Sequence, residues 1–334
     1  MSDDGAVTPD YLRSWGRHTR SSPLYGELVE VIAGSEELLR VINRIPHRPP
    51  PNVLFAAVQF LLMDGAGPEL ATFFPSLSDD PLPIEGVGPV FTEFVVANEE
   101  EIVEIGNTRY TQTNECRRCV ALLPGIWASD LDRFHLIDMG TSAGLNLAVD
   151  RYRYRWGDTE WGPESEVMLE TEVRGRPPQP RPIEILSRTG LDLHPVDAGD
   201  PTERRWLEAL IWPEHHERRG RLQAALALAA SLEMTMLPGS AIDTLGPALE
   251  ALPDGDAAVV MHSFALNQLR SNDGDAITRI LERAREHRPV HRVSLEIVIE
   301  DDEWARLSVD TGSGLIEIGR CHPHGDWVEL YARP

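Results

Sequence analysis

The sequence predicts an α/β fold: a doubly wound, mostly parallel sheet with a C-terminal antiparallel hairpin, preceded by an all-helical N-terminal region. Three observations predict it. After residue 133, apolar runs of strand length alternate with stretches of helical period. A glycine-rich turn follows the first of those runs, where open α/β sheets bind ligands. The first 130 residues show helical spacing and no strand pattern.

The helical region reads in order. Residues 25–43 place Leu28, Val31, Ile32, Leu38, Leu39 and Ile42 on one helical face, and the pattern stops before Ile45-Pro46. Asn52 is a cap for a second helix reaching Met63, which Gly65 and Gly67 end. Residues 73–89 read as loop, and 91–105 and 113–129 as helices. In the second region, 134–139 is a strand and 145–152 an amphipathic helix. Residues 167–173 and 183–186 are strands around a Pro-rich loop, and 201–210 and 217–232 are helices. Strands follow at 234–237, 257–261 and 293–299, with a helix at 275–288 between the last two. Residues 315–319 and 327–331 form the hairpin around His-Pro-His-Gly-Asp. The expected division is a helical cap region, 1–130, and a sheet domain, 131–334.

Composition narrows the function. The 334 residues are 42% hydrophobic, an ordinary globular value. Asp plus Glu number 54 against 31 basic residues, for a formal charge of −23, and all 31 basic residues are arginine. Without lysine there is no Schiff-base aldolase, no pyridoxal-phosphate chemistry and no phosphate-binding P-loop lysine. So acidic a surface repels a phosphate backbone, so duplex nucleic acid is not an expected partner. Adaptation to concentrated salt would account for the acidity. Three cysteines make no disulfide framework, which points to a reducing cytoplasm. The N-terminus carries no apolar signal segment, and the apolar run 53–63 is too short to span a bilayer.

Asp138-Met-Gly140-Thr-Ser142-Ala-Gly144 joins a strand to an expected helix. An acid ending the first strand, followed by spaced glycines, resembles the cofactor turn of class I methyltransferases, with Ser142 where a glycine usually stands. Read so, Asp138, Gly140, Ser142, Gly144 and Asn146 bind S-adenosylmethionine. Asp192 beyond the second strand would take the ribose hydroxyls, and Ser240 stands where an adenine-binding acid is expected. Gly140 to Gly144 also spells G-x-S-x-G, the nucleophile elbow of serine hydrolases, with Ser142 as nucleophile. Two features oppose that reading: the helical stretch before the turn, and an acid at 138 that an elbow does not use.

DMGTSAGLNL, TNECRRC, RTGLDLHPVDAGDP, WPEHHERRGRLQAALALA and VVMHSFALNQL together resemble the prokaryotic family catalogued as domain of unknown function 2332. The resemblance runs from about Tyr11 to the end, with its core at residues 142–147. It implies a Rossmann-like, methyltransferase-like fold behind helices, and carries no activity with it.

The remaining polar residues supply candidate chemistry. His262 ends an expected strand where a general base would stand, and a neutral-range pKa suits that task. Glu115 is the second catalytic candidate. Asn114 and Arg118, with Ser263 and Asn267, are candidates for binding a small-molecule substrate. Cys116-Arg-Arg-Cys119 is a CxxC without a second pair, so no metal site is expected. The expected function is that of a methyltransferase-like protein using S-adenosylmethionine. The alternatives are a serine hydrolase using Ser142 and a non-catalytic ligand-binding protein on the same fold.

Overall fold

The structure is a computed structural model and describes residues 6–17, 19–46, 49–266, 273–297 and 304–331. In chain order its helices are α1 (Pro9–Gly16), α2 (Pro23–Ala33), α3 (Glu36–Ile42), α4 (Pro50–Met63), α5 (Pro68–Ala71), α6 (Val87–Ala97), α7 (Glu99–Thr108), α8 (Cys119–Ala128), α9 (Pro201–Ala209), α10 (His216–Ala230), α11 (Ala241–Glu250) and α12 (Asp273–Arg285). The strands are β1 (Arg133–Met139), β2 (Arg153–Trp156), β3 (Thr159–Trp161), β4 (Met168–Gly175), β5 (Glu184–Asp192), β6 (Thr235–Pro238), β7 (Ala258–Ser263), β8 (Val290–Ile297), β9 (Ala305–Asp310), β10 (Ile316–Cys321) and β11 (Trp327–Leu330).

The chain divides into two compact units, Met1–Thr113 with Asp200–Gln223, and Asn114–Gly199 with Ala224–Pro334. The division therefore falls after residue 113 and not after residue 130. Helix α8 belongs with the sheet because it is buried along nearly its whole length against β8 and β9. Residues 200–223 belong with the helices. There α9 packs on α4, and the buried Gln59 amide of α4 donates to Ala209 O and Ile211 O at 2.7 and 2.8 Å.

Local chemistry sets the helix ends in the helical unit. Ser22 and Ser35 each accept a backbone N–H, from Tyr25 and Leu38, and so open α2 and α3. The Ser35 cap splits what the apolar period predicts as one helix. Asn98 divides the expected helix over 91–105 in the same way: its side-chain amide donates to Phe94 O at 2.7 Å, at the junction of α6 and α7.

The sheet unit holds one 11-stranded mixed sheet, in the order β3-β2-β4-β11-β10-β9-β8-β7-β1-β5-β6. Strands β6, β5, β1, β7 and β8 are mutually parallel, and β8, β9, β10 and β11 pair antiparallel in succession. The fold is thus α/β, with a large, mostly parallel sheet and antiparallel C-terminal strands. Within the parallel part β1 is flanked by β5 and β6 on one side and by β7 and β8 on the other, while β2, β3 and β4, made between β1 and β5 in the chain, lie at the far edge. The order reverses between β1 and β7, and at such a point two loops diverge and leave a crevice beyond the strand ends.

Both faces are covered, which explains why β1 is buried at all but its first residue. On one face Leu245 and Leu249 of α11, with Ile277 and Leu281 of α12, pack on Ile137, Met139, Leu191 and Val260. On the other lies α8. A Cβ added at Gly125 of α8 would stand 2.6 Å from Val293 Cγ1 and 3.2 Å from Leu307 Cδ1. Gly125→Ala should therefore overpack this seam and cost ~1–3 kcal/mol. Chemical denaturation measures it, and unchanged stability would show that β8 and β9 give way freely.

One expected helix is absent. Residues 145–152 form only a short 3-10 turn, Leu145–Ala148, before β2 begins. Side chains have taken the carbonyls a helix would use. Tyr152 Oη donates to Leu145 O at 2.7 Å, Arg188 Nη1 donates to Leu147 O at 2.5 Å, and Tyr154 Oη donates to Val149 O.

Candidate functional site

The candidate site stands at the C-terminal ends of β1 and β7. Asp138, next to last in β1, lies opposite Gly190 of β5 and Met261 of β7. Neighbours on both sides leave it fully buried, and neither carboxyl oxygen makes a well-formed hydrogen bond, although the Thr141 hydroxyl and the Asn146 amide lie close to it. Burial pushes its pKa up to about 8, and the nearby Asp192 adds to the rise. The Thr141 hydroxyl, the Asn146 amide and the Arg118 charge only temper it. With its pKa held there, the protonated form is favoured at neutral pH.

The loop after β1 folds over this acid. Gly140 and Gly144 both have φ of 75°, and Ser142 is left-handed as well, at 50°. Asp192 stabilises the strained serine, because its Oδ2 accepts the Ser142 N–H at 2.8 Å while its Oδ1 accepts the His194 N–H at 2.8 Å. Asn114 holds the same turn at two points. Its Nδ2 donates to Ser142 Oγ at 3.0 Å, and its Oδ1 accepts the Ala143 N–H at 3.4 Å. An amide accepts no proton at neutral pH, so this partner cannot activate Ser142 as a nucleophile.

Asn146 crosses to the end of β7, its Nδ2 donating to Ser263 Oγ at 3.2 Å and its Oδ1 facing Cys119 Sγ at 3.5 Å. Beside it the buried Arg118 donates from Nε to Pro323 O at 3.0 Å. The Arg118 guanidinium lies 3.9 Å from the centre of the Phe264 ring. Glu115, 4% exposed, accepts the Arg117 N–H at 3.1 Å and opens the turn that carries Arg118. Its other oxygen is 4.0 Å from His324 Nδ1.

The structure thus brings Asn114, Arg118, Asp138, Gly140, Ser142, Gly144, Asn146, Asp192 and Ser263 into one linked cluster. Ser240 is not joined to it: its hydroxyl accepts the Ile242 N–H and caps α11. Asn267 lies outside the described residues. His262 is at the expected strand end, but both of its ring nitrogens are engaged. Nδ1 meets Glu296 Oε1 at 2.6 Å, and Nε2 accepts from Arg292 Nε at 2.9 Å. An imidazole that accepts from a guanidinium is neutral, and burial lowers its pKa in accord.

Cys116, Cys119 and Cys321 are buried, and burial raises the pKa of Cys119 and that of Cys321, the latter to about 12. Among the described residues no three His, Cys, Asp or Glu side chains are placed to hold a metal. Among them, too, no helix is long and apolar enough to cross a membrane.

Sequence reasoning missed Phe264, Arg292 and Glu296. Phe264 has φ of 56°, and Glu296 Oε1 accepts the N–H groups of Ala265 and Leu266 as well as meeting His262. One signal was available, an arginine and a glutamate four residues apart inside a strand of predominantly β-forming residues. Comparison with the curated proteins and with the solved structures found no match. A family model described as "Uncharacterized protein conserved in bacteria (DUF2332)" matches residues 10–330. That span takes in the helical unit, the sheet and every site residue named above, so the chain belongs to the DUF2332 family.

Proposed function

We propose that the sheet unit is a methyltransferase-like domain that binds S-adenosylmethionine at the β1–β7 crevice and acts on a small molecule. One observation carries the reading: Asp138 keeps two buried carboxyl oxygens without a well-formed hydrogen bond at the point where the strand order reverses. A buried acid so poorly partnered is costly, and a ligand's ammonium group would satisfy it. Supporting this, the parallel core, numbered by chain order, runs third-second-first-fourth-fifth and is followed by antiparallel strands, an order resembling that of class I methyltransferases.

The residues present fit that cofactor in part. Asp138 and Asn146 suit its amino-acid head, and Asp192 retains lone pairs for ribose hydroxyls. The loop amides contribute less than a glycine turn usually does. Those of Gly140 and Thr141 donate to Leu191 O, that of Ser142 to Asp192, and that of Gly144 to Thr141 O. The glycines answer to the protein's own packing: a Cβ at Gly140 would lie 2.8 Å from that of Ala265, and one at Gly144 2.9 Å from Met234 Sδ. When bound, the cofactor supplies an electrophilic methyl group. The chain's part is to bind, orient and exclude water, with Asp138 giving up its proton as the ammonium arrives. His262 is unsuited to the acid–base role, because its ring nitrogens are both engaged, which leaves Glu115, one turn before Arg118, as the candidate. Arg118, Asn114 and Ser263 border the acceptor.

Calorimetry with S-adenosylmethionine and with S-adenosylhomocysteine tests the reading. Binding is expected to weaken by ~1–3 kcal/mol in Asp138→Ala, the cost of an unsatisfied partner. No measurable binding of either compound from low to high salt would sink it. The left-handed Ser142 is the one observation that favours a serine hydrolase, so a fluorophosphonate probe belongs in the same experiment. The folded protein should stay unlabelled. Stoichiometric labelling that disappears in Ser142→Ala would replace the cofactor reading.

A further inference from the structure

A non-glycine residue with a bulky side chain rarely takes a positive φ, and it persists only where its surroundings over-determine it. Phe264, the first residue after β7, does so at φ 56°. What holds it is unusually concentrated. The Phe264 N–H donates to Leu295 O at 3.0 Å. The next two N–H groups, of Ala265 and Leu266, both donate to a single atom, Glu296 Oε1, at 3.1 and 3.3 Å. The same oxygen meets His262 Nδ1 at 2.6 Å, and His262 Nε2 accepts from Arg292 Nε at 2.9 Å. Arg292, His262 and Glu296 are therefore a fixed chain in which the neutral imidazole keeps its proton on Nδ1 and aims the carboxyl group at the turn.

That turn has two consequences at the site. It lays the Phe264 ring on the Arg118 guanidinium at 3.9 Å. It also sets the Ala265 methyl against Gly140, so close that a Cβ there would stand 2.8 Å away. We propose that Glu296 is the positioning residue of the crevice: one oxygen fixes the turn 264–266, and through Ala265 the turn fixes the glycine loop that covers Asp138. This rests on the reading of that loop as ligand-binding. Glu296 acts on the loop through the turn it holds, by way of Ala265 and Phe264. His262 and Arg292 serve it, which gives a role to a histidine that the chemistry leaves unused.

The test is amide hydrogen exchange on the full chain, read at residues 264–266 and 140–144, together with calorimetry using S-adenosylhomocysteine as probe. In Glu296→Ala, exchange in both segments should accelerate at least tenfold and the probe should bind at least tenfold more weakly. Glu296→Gln keeps an oxygen able to accept all three hydrogen bonds, so it should restore protection and binding. A merely structural carboxyl group would not be rescued in this pattern. Ala265→Gly, which leaves the clamp intact, should loosen 140–144 alone while 265–266 stay protected. Unchanged protection of 140–144 in both Glu296→Ala and Ala265→Gly, or a glutamine variant as loose as the alanine one, overturns the proposal. A wild-type chain that fails to bind the probe defeats the cofactor reading instead, and the exchange data still decide the role of Glu296.

Discussion

Asp138→Asn is expected to make the protein more stable above neutral pH and to weaken binding of S-adenosylmethionine, the proposed ligand. The sign follows from linkage. In the unfolded chain Asp138 titrates as an ordinary carboxyl near pH ~4, whereas burial holds the folded group up to about 8. Between those values the folded state carries a proton that the unfolded state has released. Its contribution to stability is therefore fully present below about pH 4 and is lost as pH rises through 8. At ~1.4 kcal/mol for each pKa unit, the full loss is of order 5 kcal/mol. Asparagine has the same shape and never ionises. The variant and the wild type should have similar stabilities at pH 4–5 and diverge by several kcal/mol by pH 8–9, with the variant ahead. Denaturant unfolding across that pH range reads the difference. A gap that stays constant with pH would show that Asp138 is already ionised and satisfied in the folded protein. In the wild type, ligand binding should also release a proton at neutral pH, visible as a binding heat that changes with buffer.

How much of this was legible depends on how local the determining contacts are. Strand β1, the glycine turn and the acid before it could be read because strand, turn and φ preference are written in neighbouring residues. The helix expected over 145–152 could not be corrected from sequence. Its carbonyls are taken by Tyr152, Tyr154 and Arg188, and the last lies forty-one residues beyond the carbonyl it binds. The same holds at the site. His262 stands at the anticipated strand end, but its chemistry is decided by Glu296 and Arg292, which only strand pairing brings beside it. Asp192 was expected to face a ribose; what the structure shows it doing is holding Ser142 in its left-handed turn. Helix α8 was grouped with the preceding helices because periodicity does not say which apolar surface a helix will cover.

Salt should raise the melting temperature markedly between 0.1 M and 2 M potassium chloride. The sequence holds 54 acidic side chains against 31 arginines. The structure shows how the arginines are placed: Arg40 and Arg44 share Glu99 and Glu100, Arg153 and Arg155 share Glu160 and Glu170, and Arg181 bridges Asp130 and Asp132. Even with every arginine paired, 54 acids against 31 arginines leave a surplus of carboxylates, and Glu99-Glu100-Glu101 are consecutive at the start of α7. Two like charges ~4 Å apart repel by ~1 kcal/mol in water-like dielectric. At 0.15 M salt the screening length is ~8 Å and such neighbours feel one another, while at 1 M it is ~3 Å and they hardly do. Added salt also weakens the arginine pairs, but exposed pairs are individually worth little, and the net charge of −23 means that repulsion dominates what is screened. Unfolding moves the like charges apart, so their repulsion subtracts most from stability at low salt. Potassium chloride is the right titrant, because sulfate would also strengthen apolar burial and confound the cause. A melting temperature that stayed level over this range would mean that the shared arginines already neutralise the surface, and adaptation to concentrated salt would no longer explain the composition.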